Sequence, residues 1–398
     1  MSQSKKDSLN MIVNTLSFGL ATVIKNFFLT FRIELFNILP IKKNRMVFIS
    51  HLGKTYSCNP RYLCEYLNTN CLGKYELIWI YDCHFKKPAL PKGVIGVPFF
   101  SNKGLLMLST AKVIVSNTRI SEAFCFKKRK KQIYLQTWHS SLRLKCIEGD
   151  ANLGNQYEDF AKKDSKKIDI IISGSKFSTA VFKNSFWYNG LVLETGTPRI
   201  DWLRKVTEKE SIFKKTKLDK NKHYLLYAPT FRKDGNLTAY NINYDGIIAA
   251  LNQRFGTEWI ILFRLHPNLK GKVASPFESK SVIDMTDYDD IQELLAISNF
   301  LITDYSSSMF DAALCDKICI LYASDLENYL RSERKLYFDI QSLPFPLAEN
   351  NEQLMQIIQT LDTDKYYSSI KLFLNQLGIC ENGLACENIE RYLSDQIR

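Results

Sequence analysis

The stretch that decides the fold of this chain is Leu301–Ala313, LITDYSSSMFDAA. The apolar run from Phe300 to Thr303 predicts a buried strand, and the three serines at 306–308 predict the N-terminus of a helix. A helix N-terminus carries a partial positive charge and unpaired backbone N–H groups, so it stabilises a phosphate without any lysine. For an isolated serine turn, a capped helix without a ligand would be the simpler interpretation.

Three further segments end an apolar run with His, Arg or Thr, and they indicate the same kind of ligand. They are QTWHSSLRLK at 136–145, YAPTFRKDG at 227–235 and RLHPN at 264–268, and TGTPRID at 195–201 completes the set. An arginine can grip two phosphate oxygens at once, and His266 can donate a hydrogen bond to one of them. The residues predicted to form the binding site for this phosphate-bearing ligand are Thr230, Arg232, Arg264, Asp304, Ser306, Ser307 and Ser308.

Structural alternatives exist for the residues of this set when each is taken singly. Arg264 could form an ion pair that only supports the fold, and His266 could be a satisfied core or turn histidine. Asp304 could hold the serine turn or orient His266, and the sequence favours neither role. No carboxylate cluster with metal-ligand spacing appears, so no metal site is predicted and a divalent-metal requirement stays open.

The chain alternates strand-like apolar runs with helical stretches from residue 45 onward, which predicts parallel sheets. One set of runs is MVFIS, YELIWIY, VIGV, AKVIVSN, QIYLQTW, IDIIISG and LVLETG, and a second set is HYLLYAP, WIILFRL, SVIDMT, FLITDYS and ICILYA. We therefore expect an α/β protein with two Rossmann-type domains that face a central cleft, the GT-B architecture. The expected division is an N-terminal segment at 1–43, a first domain at 44–202, a linker at 203–222 and a second domain at 223–398.

The N-terminal segment is apolar over residues 11–39 apart from a narrow polar stripe. Asn10, Asn14, Ser17 and Lys25 recur at helical spacing, which predicts an amphipathic helix. Charged residues interrupt the run before it reaches the length of about 20 apolar residues that a membrane span needs. We expect the helix to lie in the plane of a membrane, with a core-packing helix and a true span as the second and third alternatives.

Composition and charge narrow the class of protein and its partners. The 398 residues include 53 Lys and Arg against 41 Asp and Glu, a formal net charge of +12, which predicts polyanionic partners. An anionic membrane surface and a phosphate-rich substrate fit this charge, whereas no nucleic-acid-binding motif appears and no nucleic acid is expected. The ten cysteines contain no C-x-x-C pair, so reduced thiols in a cytoplasmic protein are expected.

In their order and separation, the quoted motifs resemble the CDP-glycerol:poly(glycerophosphate) glycerophosphotransferases, which build teichoic acids and related phosphodiester polymers. Two further blocks extend the resemblance to roughly residues 45–345: HLGKTYSCNPRYLCEYL at 51–67 and DLENYLRSERKLYFD at 325–339. The resemblance implies the GT-B fold and a CDP-alditol donor bound by the second domain. It also implies that His139 is the general base that activates an acceptor hydroxyl, with His266 as the second catalytic residue.

The function expected from the resemblance is transfer of glycerol phosphate from CDP-glycerol to a polyol-phosphate or lipid-linked glycan acceptor, with release of CMP. CDP-ribitol is the alternative donor. A nucleotide-sugar glycosyltransferase of the same fold is a second alternative, and a catalytically silent membrane- or polyanion-binding protein is a third. We expect the enzyme to act at the cytoplasmic face of the cell membrane as a peripheral protein.

Overall fold

The protein contains two parallel β-sheets, each in an α/β domain. The computed structural model describes residues 28–397 apart from 125, 152, 207–208, 233–239, 257 and 266–280. Every pair of neighbouring strands within both sheets is parallel. The alternation of apolar runs and helical stretches predicted this arrangement, and the two-domain α/β class is confirmed.

The first sheet has seven strands in the spatial order β3-β2-β1-β4-β5-β6-β7. The strands are β1 (Lys42–Ile49), β2 (Glu76–Tyr81), β3 (Val94–Pro98), β4 (Ala111–Ser116), β5 (Ile133–Gln136), β6 (Ile170–Ile172) and β7 (Leu191–Leu193). The strand order reverses between β1 and β4. Ligands of open α/β sheets bind beyond the carboxyl ends of the strands at such a reversal.

The second sheet has six strands in the order β10-β9-β8-β11-β12-β13, so it reverses between β8 and β11. The strands are β8 (His223–Tyr227), β9 (Trp259–Phe263), β10 (Val282–Asp284), β11 (Phe300–Thr303), β12 (Ile318–Tyr322) and β13 (Leu347–Ala348). The strand predicted from LITDYSSSMFDAA is β11, and the serine turn follows it directly. The serine turn therefore lies at the strand-order reversal of the second sheet.

The helices connect the strands and cover the sheets. Residues 28–36 are helical (α1). The other helices are α2 (Cys58–Asn70), α3 (Asn102–Thr110), α4 (Asn155–Ser165), α5 (Lys176–Ser185), α6 (Pro198–Lys205), α7 (Glu210–Thr216), α8 (Tyr244–Phe255), α9 (Ile291–Ile297), α10 (Ser308–Leu314), α11 (Leu326–Ser332), α12 (Asn351–Thr360), α13 (Thr363–Gln376) and α14 (Ala385–Ile397).

Strand β1 shows why these sequences form a sheet that is covered on both faces. Val47 and Ile49 pack into one apolar cluster, while Met46 and Phe48 pack into another on the opposite face. All four side chains are fully buried. A strand buried on both sides reads as a continuous apolar run, which is the pattern of MVFIS in the sequence.

The C-terminal helix α14 returns to the first domain. Cys386, Ile389 and Leu393 pack in the same apolar cluster as Leu63 and Leu67 of α2. The domain division expected from the sequence placed all of residues 223–398 in the second domain. In the structure, α14 instead packs on the first domain. The difference arises because α14 is strongly amphipathic and finds its apolar partners on the outer face of the first sheet.

The expected linker contains a structured helix that packs on the second domain. Helix α7 buries Ile212 in the apolar core of that domain, and Lys215 Nζ lies 2.8 Å from Glu293 Oε1 of α9. Ile212 is only 1% exposed, although this region has few large apolar residues. The charged segment is therefore a packed connection on its second-domain side.

Helix α1 packs on the first domain with one face only. Leu29 and Ile33 are buried in a cluster of that domain, whereas Phe28, Phe31 and Leu35 are exposed. The polar stripe expected at residues 10–25 lies outside the described residues. Within the described part of the chain, no helix is long and apolar enough to cross a membrane. The nine cysteines that the structure describes are all free thiols.

Candidate active site

The first half of the site is the edge of the first sheet at the reversal between β1 and β4. His139 follows β5, and its Nδ1 lies 3.1 Å from the backbone oxygen of Asn117, which follows β4. The imidazole stacks on Trp138, with 4.5 Å between the ring centroids. Trp138 adopts a positive φ of 48°, a conformation that costs energy for a bulky residue. The backbone therefore turns sharply at the point where the imidazole is presented.

The surroundings of His139 keep its imidazole neutral. Burial lowers the pKa of His139 to about 3, and the nearby His51, Arg199 and Arg143 add to the lowering. The carbonyl of Asn117 can only accept, so Nδ1 carries the proton in this hydrogen bond. The lone pair is then on Nε2, which is the arrangement that a general base requires.

His51 is a residue of this edge that the sequence reasoning missed. It lies two residues after the end of β1, and its ring centroid is 6.1 Å from that of His139. Asn117 orients it, because the amide Oδ1 accepts from the His51 backbone N–H at 2.8 Å and Nδ2 lies 3.2 Å from His51 Nε2. His139 was predicted because a histidine follows a buried strand. The same pattern is present at His51, which follows the apolar run MVFIS.

The second half of the site is the edge of the second sheet at the reversal between β8 and β11. Asp304, which follows β11, accepts from the backbone N–H of Thr230 at 2.9 and 3.1 Å. It also accepts from Arg232 Nη2 at 2.8 Å. Asp304 thus ties the loop after β8 to the loop after β11.

All five N–H donors of Arg232 form hydrogen bonds within the protein. Nε and Nη2 bind the carboxylate of Asp325 at 2.6 and 3.1 Å, Nη2 also binds Asp304, and Nη1 donates to the backbone and side-chain oxygens of Thr230 at 2.8 Å. Its side chain is 3% exposed. The sequence predicted a phosphate contact at this position, and the structure has a buried arginine that holds three segments together.

The serine turn is arranged differently from the predicted cap. Ser307 is the N-cap residue of α10, but its side chain makes no capping bond and its backbone is already helical, with φ −63° and ψ −7°. Its Oγ instead accepts from the backbone N–H of Leu144 at 3.3 Å. Ser306 Oγ accepts from the Ser308 hydroxyl at 2.9 Å and from the Ser308 backbone N–H at 3.3 Å, so Ser306 supplies a side-chain bond to the first residue of α10. The three hydroxyls are partly exposed at the boundary between the domains.

Arg264 lies at the end of β9, next to the same edge. Its Nε and Nη2 donate to the backbone oxygen of Tyr288 at 3.4 and 3.2 Å. Burial lowers its pKa, and among the described residues it has no carboxylate partner at ion-pair distance. This favours an anion-binding role over the structural ion pair that the sequence left open. His266 lies outside the described residues.

Buried ion pairs bring the two halves together. Arg199 of α6 donates through Nη1 to the backbone oxygen of His139 and through Nη2 to Asp311 Oδ1 of α10 at 2.6 Å. Arg61 of α2 binds Asp290 at 3.0 Å and Glu293 at 2.6 Å, both in the second domain. The loop that carries His139 is therefore coupled to the helix that follows the serine turn.

A buried carboxylate fixes the loop after His139. Glu381 accepts from the hydroxyls of Ser141 at 2.6 Å and Thr197 at 2.8 Å, and from the Thr197 backbone N–H at 2.9 Å. Burial raises the pKa of Glu381 to about 7, although these hydrogen bonds act in the opposite direction. The TGTPRID segment, which contains Thr197, thus supports the loop after β5.

Among the residues that the structure describes, one group has potential metal-ligand geometry. It consists of Asp82, Cys83 and His84 after β2, whose ligand atoms lie within 4.8 Å of one another. His84 Nδ1 and Asp82 Oδ1 are 2.8 Å apart, and Cys83 and His84 are exposed. The group is built from consecutive residues of a surface loop, and it supplies no link between the two halves.

Two parallel-sheet domains, with a neutral histidine on one edge and hydroxyl and arginine groups on the other, define a GT-B-like transferase. The family model for CDP-glycerol:poly(glycerophosphate) glycerophosphotransferases matches residues 30–394. The chain belongs to this family, which confirms the resemblance inferred from the motifs and the prediction that the protein is an enzyme of this class.

Individual relatives agree with this assignment over nearly the whole chain. The protein is 31% identical to a teichoic acid poly(glycerol phosphate) polymerase of Bacillus spizizenii, with 91% of this chain and 94% of that one covered. It is 34% identical to a teichoic acid glycerol-phosphate transferase of Staphylococcus aureus, with 89% and 94% covered. A solved structure of the wall teichoic acid polymerase TagF, soaked with CDPG, matches with a TM-score of 0.80 at 28% identity and covers 97% of this chain and 98% of that one.

Proposed function

We propose that this protein transfers glycerol phosphate from CDP-glycerol to a hydroxyl group of a polyol-phosphate or lipid-linked glycan acceptor and releases CMP. The observation that carries the proposal is the neutral imidazole of His139, with its proton held on Nδ1 and Nε2 left as the acceptor. The family membership supplies the substrate class.

In the proposed reaction, His139 Nε2 removes the proton of the acceptor hydroxyl as its oxygen attacks the phosphorus that bears glycerol. A new oxygen–phosphorus bond forms, the bond from that phosphorus to the bridging oxygen breaks, and CMP leaves with the electron pair. Positioning and charge stabilisation supply most of the rate in phosphoryl transfer. A negative donor next to His139 raises the pKa of its imidazole above the value of the free protein, which strengthens the base.

The donor is proposed to lie at the edge of the second sheet, with its pyrophosphate near Ser306, Ser307 and Ser308. The partly exposed hydroxyls and the guanidinium of Arg264 support this placement. His266, which follows Arg264 closely in the sequence, is proposed as a further phosphate contact. Thr230, Arg232 and Asp304 support the site indirectly, because their mutual bonds fix the shape of the loop after β8.

CDP-glycerol is preferred over CDP-ribitol because the relatives at 31% and 34% identity are named for glycerol phosphate. The test is to incubate the protein with CDP-glycerol, CDP-ribitol and UDP-sugars and to identify the released nucleotide and the mass added to a defined acceptor. The proposal expects CMP and a gain of one or more glycerol phosphate units. Release of a nucleoside diphosphate would indicate a glycosyltransferase, and turnover of CDP-ribitol alone would replace the donor.

The protein is further proposed to bind an anionic membrane at the cytoplasmic face. An exposed apolar face on α1 and on the residues after it supports this location. Phe28, Phe31 and Ile38 are 59%, 58% and 79% exposed. Basic residues lie beside this face, since Lys127 pairs with Glu34 and Arg129 donates to the backbone oxygen of Leu39 at 2.7 Å. Apolar side chains next to cations are typical of a surface that inserts shallowly between anionic headgroups.

Point variants test the membrane proposal better than a deletion of residues 1–40, because a deletion would also remove Leu29 and Ile33 from the core. We expect a variant with serine at Phe28, Phe31 and Leu35 to lose co-sedimentation with phosphatidylglycerol vesicles while it keeps activity on a short soluble acceptor. Leu372→Ser, at a position that is 62% exposed on α13, is the matched control. Equal sedimentation of the two variants would contradict the proposal.

A further inference from the structure

The segment that follows His139 runs from the first domain to the second, and its Lys145 lies near the serine turn. Lys145 bridges to Leu336 in an antiparallel arrangement, and the backbone N–H of the preceding Leu144 donates to Ser307 Oγ at 3.3 Å. Lys145 therefore lies beside the strand-order reversal of the second sheet, although it belongs in sequence to the motif of the first domain.

The ammonium group of Lys145 has no ion pair or hydrogen bond with any residue that the structure describes. Its Nζ lies over the ring of Tyr329, 5.4 Å from the ring centroid. Burial lowers the pKa of Lys145 to about 8, Arg232 and Arg334 add to the lowering, and Asp304 and Glu333 oppose it. A partly buried cation without a partner is unfavourable unless another group compensates it.

Two other donors of this neighbourhood also lack acceptors. Arg334 is partly buried and makes no ion pair or hydrogen bond within the described parts of the chain. Tyr329 is 1% exposed, and its buried hydroxyl has no hydrogen-bond partner among the residues that the structure describes. Its ring stacks on Tyr305 at 3.5 Å, so the hydroxyl cannot move freely to find one.

Two nearby carboxylates, Asp304 and Asp325, form no hydrogen bond or ion pair with these three donors. Asp304 and Asp325 are both bound by Arg232, whose donors are in turn fully used. The Tyr329 hydroxyl is buried, and the two cations beside it are partly buried. A buried donor without an acceptor is rare in folded proteins, and its position next to two unpaired cations indicates a group that is missing from the free protein. Because all three donors are drawn toward negative charge, the missing group is an anion.

We infer that Lys145, Arg334 and Tyr329 bind the diphosphate of the nucleotide donor. The inference rests on the proposed function and deepens it, because it assigns cations to a site where Arg232 supplies none. The position beside Asp304 and the serine turn, at the reversal between β8 and β11, favours the donor diphosphate over an acceptor phosphate. Lys145 thereby links donor binding to the segment that positions His139.

The experiment measures dissociation constants for CDP, cytidine and glycerol 3-phosphate with the full-length protein and with Lys145→Met and Arg334→Met. Each variant removes one cation from a phosphate contact, so CDP affinity is expected to fall by about 10–100-fold while cytidine affinity stays unchanged. Lys145→Arg keeps the charge and should retain most of the affinity. Lys365→Met, at an exposed position of α13, is the control for the loss of one positive charge.

Thermal stability provides a second readout that a purely structural role would move in the other direction. Loss of an unpaired buried cation should leave the melting temperature of Lys145→Met equal to or above that of the wild type. Unchanged CDP affinity in both variants would overturn the inference, as would equal losses for CDP and cytidine or a loss confined to glycerol 3-phosphate. A wild-type protein that binds neither CDP nor CDP-glycerol would overturn the proposed function, and this inference with it.

Discussion

Among single residues, His139 and Glu381 have surroundings that shift their protonation in opposite ways. Burial lowers the pKa of His139 to about 3, and it raises that of Glu381 to about 7. The first group is a base without its proton in the free protein, and the second is a carboxyl group that ionises only near neutral pH. His139 lies on the loop after β5, and Glu381, between α13 and α14, binds the same loop through Ser141. The chemistry and the stability of this region therefore depend on pH in separable ways.

The pH profile of catalysis tests the state of His139. The acid limb of kcat/KM reports the pKa values of the free enzyme. Because the pKa of His139 is lowered to about 3 in the free protein, kcat/KM should show no decrease near pH 6.5 that belongs to His139. The limb of kcat should lie at higher pH, because the bound diphosphate raises the pKa of the imidazole. Initial rates between pH 4.5 and 8 provide both profiles, and the same measurement on Glu381→Gln identifies any limb that belongs to Glu381. A limb of kcat/KM near 6.5 that persists in this variant would contradict the depressed pKa of His139.

The stability of the protein should carry the signature of Glu381. The unfolded chain releases this proton near pH 4.5, the ordinary value, whereas the folded protein keeps it to about pH 7. Folded stability therefore falls as pH rises between those values and is level above them, with a total loss on the order of 3 kcal/mol. Glu381→Gln should lack this decrease, as measured by denaturant unfolding at pH 4.5 and 7.5. Parallel changes in the two proteins would show that the carboxyl group is not shifted.

At the scale of elements, the loops after β8, β11 and β12 form one unit around Arg232. Asp304 and Asp325 are both nearly buried, and Arg232 is their shared cation. Removal of one partner from such a buried cluster leaves uncompensated charge. The loop that carries Thr230 depends on this cluster for its shape.

Arg232→Met should lower the free energy of unfolding by about 3–5 kcal/mol, because two buried carboxylates lose their cation. The matched control is Arg331→Met, which breaks an exposed pair with Glu327 at 3.3 Å. We expect little change in that control, since exposed pairs on a helix contribute at most about 0.5 kcal/mol. Urea unfolding followed by circular dichroism measures both variants. Equal effects of the two substitutions would refute the role assigned to Arg232.

The same elements show what the sequence could predict. Long apolar runs such as MVFIS and FLITDYS became strands because burial on both faces leaves a signal that a single sequence displays. Strand β13 was missed because two residues, Leu347 and Ala348, carry no period. The bonds of Arg232 to Asp304 and Asp325 and the role of Glu381 were not predictable, since both depend on contacts between residues far apart in the chain.

At the scale of the whole molecule, buried ion pairs hold the two domains closed around the site. Arg61 of the first domain pairs with Asp290 and Glu293 of the second, and Tyr62 donates to Asp290 at 2.8 Å. Burial alone would raise the pKa of Glu293, but Arg61, Lys215 and Tyr288 together lower it to about 2. Glu293 is therefore charged across the physiological range and needs Arg61 for compensation, whereas burial raises the pKa of Asp290.

Arg61→Met should open the molecule, because hydration of Asp290 and Glu293 becomes more favourable than their burial. Small-angle scattering should then give a larger radius of gyration than for the wild type. Lys220→Met, which removes an exposed pair with Glu210 at 3.4 Å, should leave the scattering curve unchanged. Identical curves for Arg61→Met and the wild type would show that other contacts maintain the closed arrangement.

The central claim is that the two domains divide the work between a base on His139 and a donor site on the second sheet. The most direct measurement is the single-turnover rate of CMP release from CDP-glycerol, together with the CDP-glycerol dissociation constant, in the wild type and in folded His139→Ala. The account predicts a rate about 10²–10⁴-fold lower in the variant with an almost unchanged dissociation constant. A near-wild-type rate, or a loss of donor affinity as large as the loss of rate, would contradict it.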